Sequence, residues 1–207
     1  MLRDLECTIC RRSYGVYAIA LFCPDCGAPN LALHFQREVQ LVREQITLAD
    51  QQDEHAHREL AYRLMGNAHE DVLTAFETAL KTVFRCLIRQ DRPHQTSDLL
   101  SKKIIFQNIE RIREYFVKLG IDPFSALAAG DLQFLNTNIQ KRHVIGHNLG
   151  MADEHYSQLT QTEQPGETVQ LLGNEIGRFA EVCMAVVAGL EDWLLPNALS
   201  PSTSPSS

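Results

Sequence analysis

The sequence predicts a mainly helical protein, an up-and-down helical bundle with a small metal-binding module at its N-terminus. Two observations support this. Two CxxC pairs stand within the first 30 residues, and apolar residues recur beyond residue 30 at helical spacing, without a strand signal of comparable strength. With 207 residues, 44% of them hydrophobic, the chain can bury one core beside a small module. We expect the module at 1–30, a connecting helix at 31–65, the bundle at 66–195 and a disordered tail at 196–207.

The two CxxC pairs are the most specific chemical signal in the chain. They are Cys7 with Cys10 and Cys23 with Cys26, separated by twelve residues. Four thiolates in this arrangement are the ligand set of one tetrahedral Zn²⁺, and Gly27 lets backbone amides turn towards the sulfurs. The sequence therefore predicts a zinc ribbon with one structural Zn²⁺. The alternative is two disulfides, which would need an exported chain that nothing here indicates, or four unrelated buried thiols.

The first two helices are predicted from apolar stripes and breakers. Residues 31 to about 65 contain few breakers, and their stripe gives way to a polar run at 50–59, which we interpret as a solvated face or a partner-binding arm. A second helix follows Gly66 and Asn67 and ends before Pro93, because proline cannot continue the hydrogen-bond ladder. The stripe of the second helix comprises Val72, Phe76, Ala79, Val83 and Leu87.

Three further helices complete the predicted bundle. The third has N-cap candidates at 96–98, carries a stripe from Ile105 to Leu119 and closes at Gly120. The fourth spans 131–149, and the fifth spans 168–195 with the cleanest periodicity in the chain. Its stripe comprises Leu172, Ile176, Phe179, Cys183, Val186, Leu190 and Trp193. The tail beyond it is rich in proline and serine and lacks apolar anchors.

Charge and composition limit the function classes. A formal net charge of −7 argues against a broad electrostatic footprint for duplex DNA, so any nucleic-acid contact must be local. The start of the chain lacks the pattern of a signal peptide, and apolar stretches such as 16–22 are too short to span a bilayer. We therefore expect a cytoplasmic protein with no membrane partner. Cys86 and Cys183 lie on apolar stripes and are left out of the metal site.

A polar segment late in the bundle concentrates the remaining chemistry. Continuing the apolar stripe of the fourth helix beyond Ile139 leads to Arg142 and His143, so we expect polar groups on a face that otherwise meets apolar partners. His143 and His147 share a helix face as an i, i+4 pair. The segment thus presents a permanent guanidinium and two imidazoles that titrate near neutrality.

This segment resembles a known signature. Arg142-x4-His147, with His143 directly after the arginine and Asn148 after the second histidine, is similar to the R-x4-6-H motif of the HEPN superfamily. The surrounding stretches 109–113, 120–122 and 153–156 resemble one branch of it. The likeness covers roughly residues 66–195 and leaves out the ribbon and the connecting helix.

The resemblance implies a HEPN-like helical bundle and, in many members, a metal-independent ribonuclease with both copies of the motif in one cleft of a homodimer. Carried over, His147 is the general base or acid towards the ribose 2′-OH and the leaving oxygen, and Arg142 stabilises charge on the phosphate. His143 supports the arginine, and Asn148 orients His147 or contacts the phosphate. RNA is the implied substrate, with no metal in the cleft. Leu149 stands where some members carry tyrosine.

Other interpretations stay open. Arg142 and His143 can belong to a structural network that fixes one dimer geometry in a catalytically silent protein. His143, His147 and His155 can form a metal site, although no accompanying carboxylate cluster is present. The remaining histidines are interpreted as surface residues; they are His55, His57, His69 and His94.

Two functions therefore follow from the sequence. The first is a homodimeric RNA endonuclease, with the ribbon for substrate or target recognition, acting as a toxin or defence effector with a neutralising partner protein. The second is a catalytically silent module in which the ribbon and the helical arm recruit a protein or a nucleic acid while the bundle dimerises.

Overall fold

The computed structural model describes residues 3–16, 20–91, 106–147, 150–160 and 163–198. Within them the protein is a helical bundle with a two-stranded sheet, which confirms the predicted fold class in outline. The strands are β1 (Arg3–Glu6) and β2 (Ser13–Val16). The helices are α1 (Leu31–Glu54), α2 (Arg58–Asp91), α3 (Ile109–Val117), α4 (Ala129–His147), α5 (Glu154–Thr160) and α6 (Gly173–Ala198). None of these helices is long and apolar enough to cross a membrane.

The N-terminal module is a short antiparallel ribbon attached to the bundle. β1 pairs with β2 in a register that places Leu5 opposite Tyr14. The chain then reaches Asn30, the buried N-cap residue of α1, whose N–H donates to the carbonyl of Leu21 at 2.8 Å. In the first turn of α1 the N–H of Ala32 donates to Glu191 of α6 at 2.9 Å. The ribbon and the bundle therefore meet at the N-terminus of α1.

One hydrophobic core joins five of the helices. Each contributes at least one side chain with at most 1% exposure: Phe35 of α1, Phe76 of α2, Phe116 of α3, Leu135 of α4 and Phe179 of α6. α1 packs along α2 and α6, so its apolar stripe is buried in the common core. The periodic stripes identified in the sequence are thus the faces that hold the bundle together, except that Leu172 is 50% exposed and precedes α6 and that Ile105 lies outside the described residues.

The first helix boundary differs from the prediction. The helix expected over residues 31–65 ends at Glu54, and α2 begins at Arg58 and continues through Gly66 and Asn67. The chain turns at Ala56, which has a φ of 62°. The break falls in the polar run because exposed polar residues gain little stability from continuing a helix. At Gly66 the helix continues, because the packing of α2 offsets the roughly 1 kcal/mol that a glycine within a helix costs.

The later elements also differ in their ends. The N-cap candidates at 96–98 and Ile105 lie outside the described residues, and α3 begins after Asn108, whose side chain accepts from the N–H of Arg111 at 2.9 Å. The helix expected from residue 168 starts at Gly173, since Thr168 pairs with Met151 in a β-bridge. The short helix α5 was not predicted. α6 extends to Ala198, so a disordered tail from residue 196 is wrong for 196–198, and residues 199–207 lie outside the described part.

Candidate functional site

Four cysteine sulfurs meet at the tips of two turns. Cys7 and Cys10 lie between β1 and β2, and Cys23 and Cys26 lie in a second turn closed by a β-bridge. The four sulfurs lie within 4.8 Å of one another, and the Cys7–Cys26 and Cys10–Cys23 Sγ distances are both 3.7 Å. All four are free thiols, not the disulfides of the alternative interpretation. Sulfurs around one tetrahedral Zn²⁺ with Zn–S bonds of about 2.3 Å lie about 3.8 Å apart, so the cluster is compatible with a zinc site.

Both turns have the same backbone pattern. In each turn, the N–H of the first cysteine donates to the carbonyl of the residue five positions later. The carbonyl of the same cysteine accepts from the N–H of the residue four positions later. The residue after the second cysteine is left-handed in both turns, with φ of 61° at Arg11 and 72° at Gly27. Glycine adopts this conformation without strain, which explains Gly27. The repeated geometry presents the two cysteine pairs to a common centre.

The turns also prepare one sulfur for metal binding. The backbone N–H of Cys10 lowers the pKa of the Cys7 thiol to about 7, whereas burial raises the pKa of Cys10 and of Cys26, so the turns favour a thiolate at Cys7, and the thiolate is the form that binds a metal. Arg12 donates to the carboxylate of Asp25 at 3.0 Å and links the two turns at the surface. Among the described residues, these four cysteines are the one group of three or more metal-ligating side chains whose ligand atoms meet.

A second site centres on Arg142 of α4, which is held by Glu70 of α2. Nε donates to Oε2 at 2.8 Å and Nη2 donates to Oε1 at 3.0 Å, the bidentate geometry that best fixes a guanidinium. The side chains are 30% and 44% exposed. The hydrogen bonds that Arg142 donates to Glu70 raise the pKa of the guanidinium, so it stays cationic. Within the described part of the chain, Nη1 has no hydrogen-bond acceptor.

Arg142 lines a groove of about 480 Å³ between α2 and α4. Tyr62, Gly66 and Glu70 line it from α2, and Arg142 and Ile145 line it from α4. Tyr62 is 44% exposed, although it is a large aromatic residue. Arg63 of α2 lines it as well, so the groove combines two cations, a carboxylate and an accessible aromatic ring.

His69 lies beneath this groove and is buried, so its interpretation as a surface residue is wrong. Its ring stacks on Phe179 with centroids 5.1 Å apart, and Nε2 is 3.3 Å from Oδ1 of Asn138. Burial lowers the pKa of His69 to about 4, so the imidazole is neutral at pH 7. It packs α2 against α6 and does not titrate with the groove near neutrality.

The structure describes the side chains of two of the four residues predicted to be catalytic, Arg142 and His143. Arg142 lines the groove, whereas His143 is exposed, so the expectation that both lie on the apolar face is wrong for His143. α4 ends at His147, but the side chain of His147 and all of Asn148 lie outside the described residues. The convergence of Arg142 with His147 stays a prediction.

The alternative metal site draws on residues of α4 and α5. His155 of α5 lines a different groove, together with Arg113, and the side chain of His147 is not described. A metal ion held by His143, His147 and His155 therefore stays a prediction.

Comparisons with protein-family models, curated proteins and solved structures give no match. Function is therefore inferred from the chain's own residues. Sequence reasoning missed Glu70 and Tyr62. An arginine in a helical bundle needs a carboxylate from a neighbouring helix, but Glu70, Asp71 and Glu77 all stand on α2, and spacing alone does not say which one faces Arg142.

Sequence reasoning also missed a buried ion pair beside the groove arginine. The side chain of Lys141 is only 4% exposed, and its Nζ donates to both oxygens of Glu175 at 2.7 and 2.8 Å and to the carbonyl of Gln170 at 2.8 Å. This pair ties α4 to α6 one residue before Arg142. The buried charge on this face of α4 is thus Lys141, with a structural role.

Proposed function

We propose that this protein is a metal-independent endoribonuclease of the HEPN type, active as a homodimer, with a zinc ribbon at its N-terminus. The observation that carries the proposal is the guanidinium of Arg142, which Glu70 fixes by two hydrogen bonds and which lines a groove. A preorganised cation of this kind stabilises negative charge that develops on a phosphate. The helical bundle and the Arg142-x4-His147 spacing are compatible with the same proposal.

In this mechanism the ribose 2′-oxygen attacks the adjacent phosphorus while the bond to the 5′-oxygen breaks. One copy of His147 takes the proton from the 2′-OH, and the partner copy gives a proton to the leaving 5′-oxygen. Arg142 binds the phosphate oxygens, whose charge rises in the transition state. The products are a 2′,3′-cyclic phosphate and a 5′-hydroxyl. His143 supports the arginine, and Asn148 orients His147 or contacts the phosphate.

We expect the purified protein to cleave unpaired RNA in the presence of EDTA, because the nucleophile is the RNA's own 2′-OH. His147→Ala should lose this activity while keeping the wild-type melting temperature and dimer mass. The measurement is gel analysis of a labelled RNA, with light scattering for the mass and a zinc assay after EDTA treatment to confirm that the ribbon is intact. An RNA pool left whole by the wild type, or cut equally well by His147→Ala, would contradict the proposal.

We propose that the cysteine cluster holds one Zn²⁺, with Cys7, Cys10, Cys23 and Cys26 as ligands. The ion supplies no chemistry in the groove; it binds the two turns together and stabilises the ribbon. Reduced, freshly purified protein should contain about one Zn per chain by elemental analysis. Cys10→Ser should lose the metal, whereas Cys86→Ser, which changes a half-buried cysteine of α2, should retain it. Equal zinc content in both variants would show that Cys10 is not a ligand.

The second candidate function is a catalytically silent binding module, and the Arg142–Glu70 pair is also compatible with it. A carboxylate that neutralises the arginine can serve only to fix α4 against α2. In that case the wild type binds RNA or a protein partner without cutting RNA. A role as a toxin or defence effector with a neutralising protein stays a prediction.

A further inference from the structure

The outer edge of β1 is a part of the fold that the proposed function does not use. β1 and β2 form a two-stranded sheet, so each has one edge that pairs with no strand of the described chain. The N–H of Cys7 donates to the carbonyl of Arg12, which lies directly across the ribbon. Hydrogen-bonded pairs alternate along an antiparallel ladder, so Leu5 bonds to β2, whereas the backbone N–H and C=O groups of Asp4 and Glu6 point away from it.

This edge borders a groove of about 920 Å³ between the ribbon and the bundle, and Asp4, Leu5 and Glu6 all line it. Successive side chains of a strand point to opposite faces, so three consecutive residues that line one groove do so along the edge of their strand. α1 and α6 supply the rest of the lining. Its apolar residues from these helices are Leu33, Val39, Met184, Ala185 and Ala188. The outward backbone groups of β1 therefore lie beside an apolar surface.

The two faces of β1 differ in character. Leu5 is 5% exposed and turns to the bundle, whereas Asp4 and Glu6 are exposed. On β2 the residues opposite these two carboxylates are a glycine and a serine, which carry no charge. Among the described residues, Glu6 pairs with Arg11 at 3.6 Å, but both side chains are more than half exposed, and such a pair contributes little. The exposed face of β1 therefore has two carboxylates without a cation opposite them on β2.

We propose that the outer edge of β1 binds an extended segment of a partner protein as a third strand, and that this segment alternates basic and apolar residues. An unpaired strand edge is a template for another strand, and backbone hydrogen bonds then supply affinity. The basic side chains lie opposite Asp4 and Glu6, because opposite charges stabilise a cross-strand pair. The apolar side chains lie on the other face, beside Leu5, and enter the groove. This inference does not depend on the ribonuclease proposal.

The helices that line the groove suit the far edge of such a segment. Gln36 and Arg37 of α1 line the groove and are exposed. Their side chains can donate to the carbonyls that an added strand leaves unpaired. Arg43 also lines the groove, but it is paired with Glu181 at 3.3 Å. An RNA strand suits the edge of β1 less well than a peptide, because its phosphates meet the two carboxylates.

The test uses peptide probes with the full-length, reduced protein. The probe is an end-capped hexapeptide that alternates lysine and valine. One control has the same composition with the lysines and the valines in separate blocks, and the other alternates glutamate and valine. We expect the probe to bind about fivefold or more tightly than either control in titration calorimetry. Methyl groups on alternate backbone nitrogens remove the donors of one edge at a time, so one N-methylated form should lose binding while the other keeps it.

Proline separates the two edges of the ribbon. Asp4→Pro removes an outward N–H and one carboxylate, so it should raise the Kd of the lysine–valine peptide about fivefold or more. Gly15→Pro is the matched control: Gly15 lies directly opposite Asp4, so its N–H points outward at the other edge, and this variant should keep the wild-type Kd. An unchanged melting temperature and unchanged thiol reactivity of the cysteine cluster show that the ribbon stays folded.

A charge-reversed variant decides if Asp4→Pro disturbs the ribbon. Asp4→Lys combined with Glu6→Lys should weaken binding of the lysine–valine peptide and strengthen binding of the glutamate–valine peptide, because the cross-strand charges are exchanged. The backbone of β1 is unchanged in this variant. An unchanged order of the two peptides would contradict the assigned edge.

Three further results would overturn the inference. They are equal binding of the three peptides, equal effects of the two N-methylated forms, and equal Kd values in folded Asp4→Pro and Gly15→Pro. A wild type that binds no peptide, and whose oligomer mass falls in Asp4→Pro, would show that a second copy of this chain occupies the edge instead. RNA cleavage is measured separately, so the ribonuclease proposal and this inference fail independently.

Discussion

Replacing Arg142 with alanine is expected to lower the rate of RNA cleavage by about 10²- to 10³-fold, the usual cost of removing one preorganised donor from a developing negative charge. The bundle should stay folded, because Arg142 is 30% exposed and its one described ion-pair partner, Glu70, is 44% exposed and can be solvated. Arg142→Lys should recover little, since an ammonium cannot bind Glu70 with one edge and a phosphate with the other. The measurement is the single-turnover cleavage rate together with the melting temperature.

Glu70→Gln separates orientation from charge in the same site. The amide keeps the size of the side chain and one acceptor oxygen but loses the charge-assisted fork that fixes the guanidinium. We expect a smaller loss of rate than in Arg142→Ala, because the cation remains but is less firmly placed. Glu70 acts through Arg142 and is a positioning residue.

A matched control is available on α3. Arg113 also forms an ion pair, with Nε 3.0 Å from an oxygen of Asp122, and lines a different groove. Arg113→Ala removes a comparable pair and should leave the cleavage rate unchanged. Equal rates in wild type and Arg142→Ala would remove Arg142 from the chemistry and favour the silent binding module. Equal losses in the Arg113 and Arg142 variants would indicate a general effect of removing surface cations.

The sequence was informative where one physical effect dominates. The apolar stripes predicted the core faces because burial of a helix face is what stabilises a bundle, and core positions such as Phe76 and Phe179 are fully buried. The cysteine spacing predicted that four sulfurs would meet, since a pair of short turns leaves them few other arrangements.

Prediction failed where tertiary contacts override local signals. Gly66 and Asn67 were read as a helix break, but α2 gains enough from packing to continue through them. On α4, extending one stripe put Arg142 and His143 on the buried face. Val144 instead packs into a second small core with Ala152, Tyr156 and Val169, so the buried face of α4 shifts and takes in Lys141.

The pairing of charges could not be predicted at all. Lys141 has Glu175 as its partner and Arg142 has Glu70, although the two cations are adjacent in sequence and the carboxylates lie on different helices. Such choices depend on the relative placement of α2, α4 and α6, which periodicity does not encode. Tyr62 could not be identified for the same reason, because its ring matters only once α2 and α4 form a groove.

Removing Glu175 is expected to cost the largest amount of stability of any single substitution considered for this chain. Glu175→Ala leaves Lys141 buried with one described acceptor, the carbonyl of Gln170. Breaking a buried pair by deleting one partner costs about 3–5 kcal/mol. The side chain of Glu175 is 24% exposed, so water can replace part of the lost contact, and we expect about 3 kcal/mol in the free energy of unfolding. Urea denaturation measures this value directly.

The same helix supplies the control. Glu181 of α6 pairs with Arg43 at 3.3 Å, and both side chains are more than half exposed, so Glu181→Ala should cost at most about 1 kcal/mol. In the double variant Lys141→Met, Glu175→Ala the unpaired charge is gone, and most of the lost stability should return. If Glu175→Ala is as mild as Glu181→Ala, Lys141 is solvated when its partner is absent, and the pair does not fix α4. If the double variant recovers stability, the loss in Glu175→Ala comes from the unpaired buried charge of Lys141 and not from the missing link between α4 and α6.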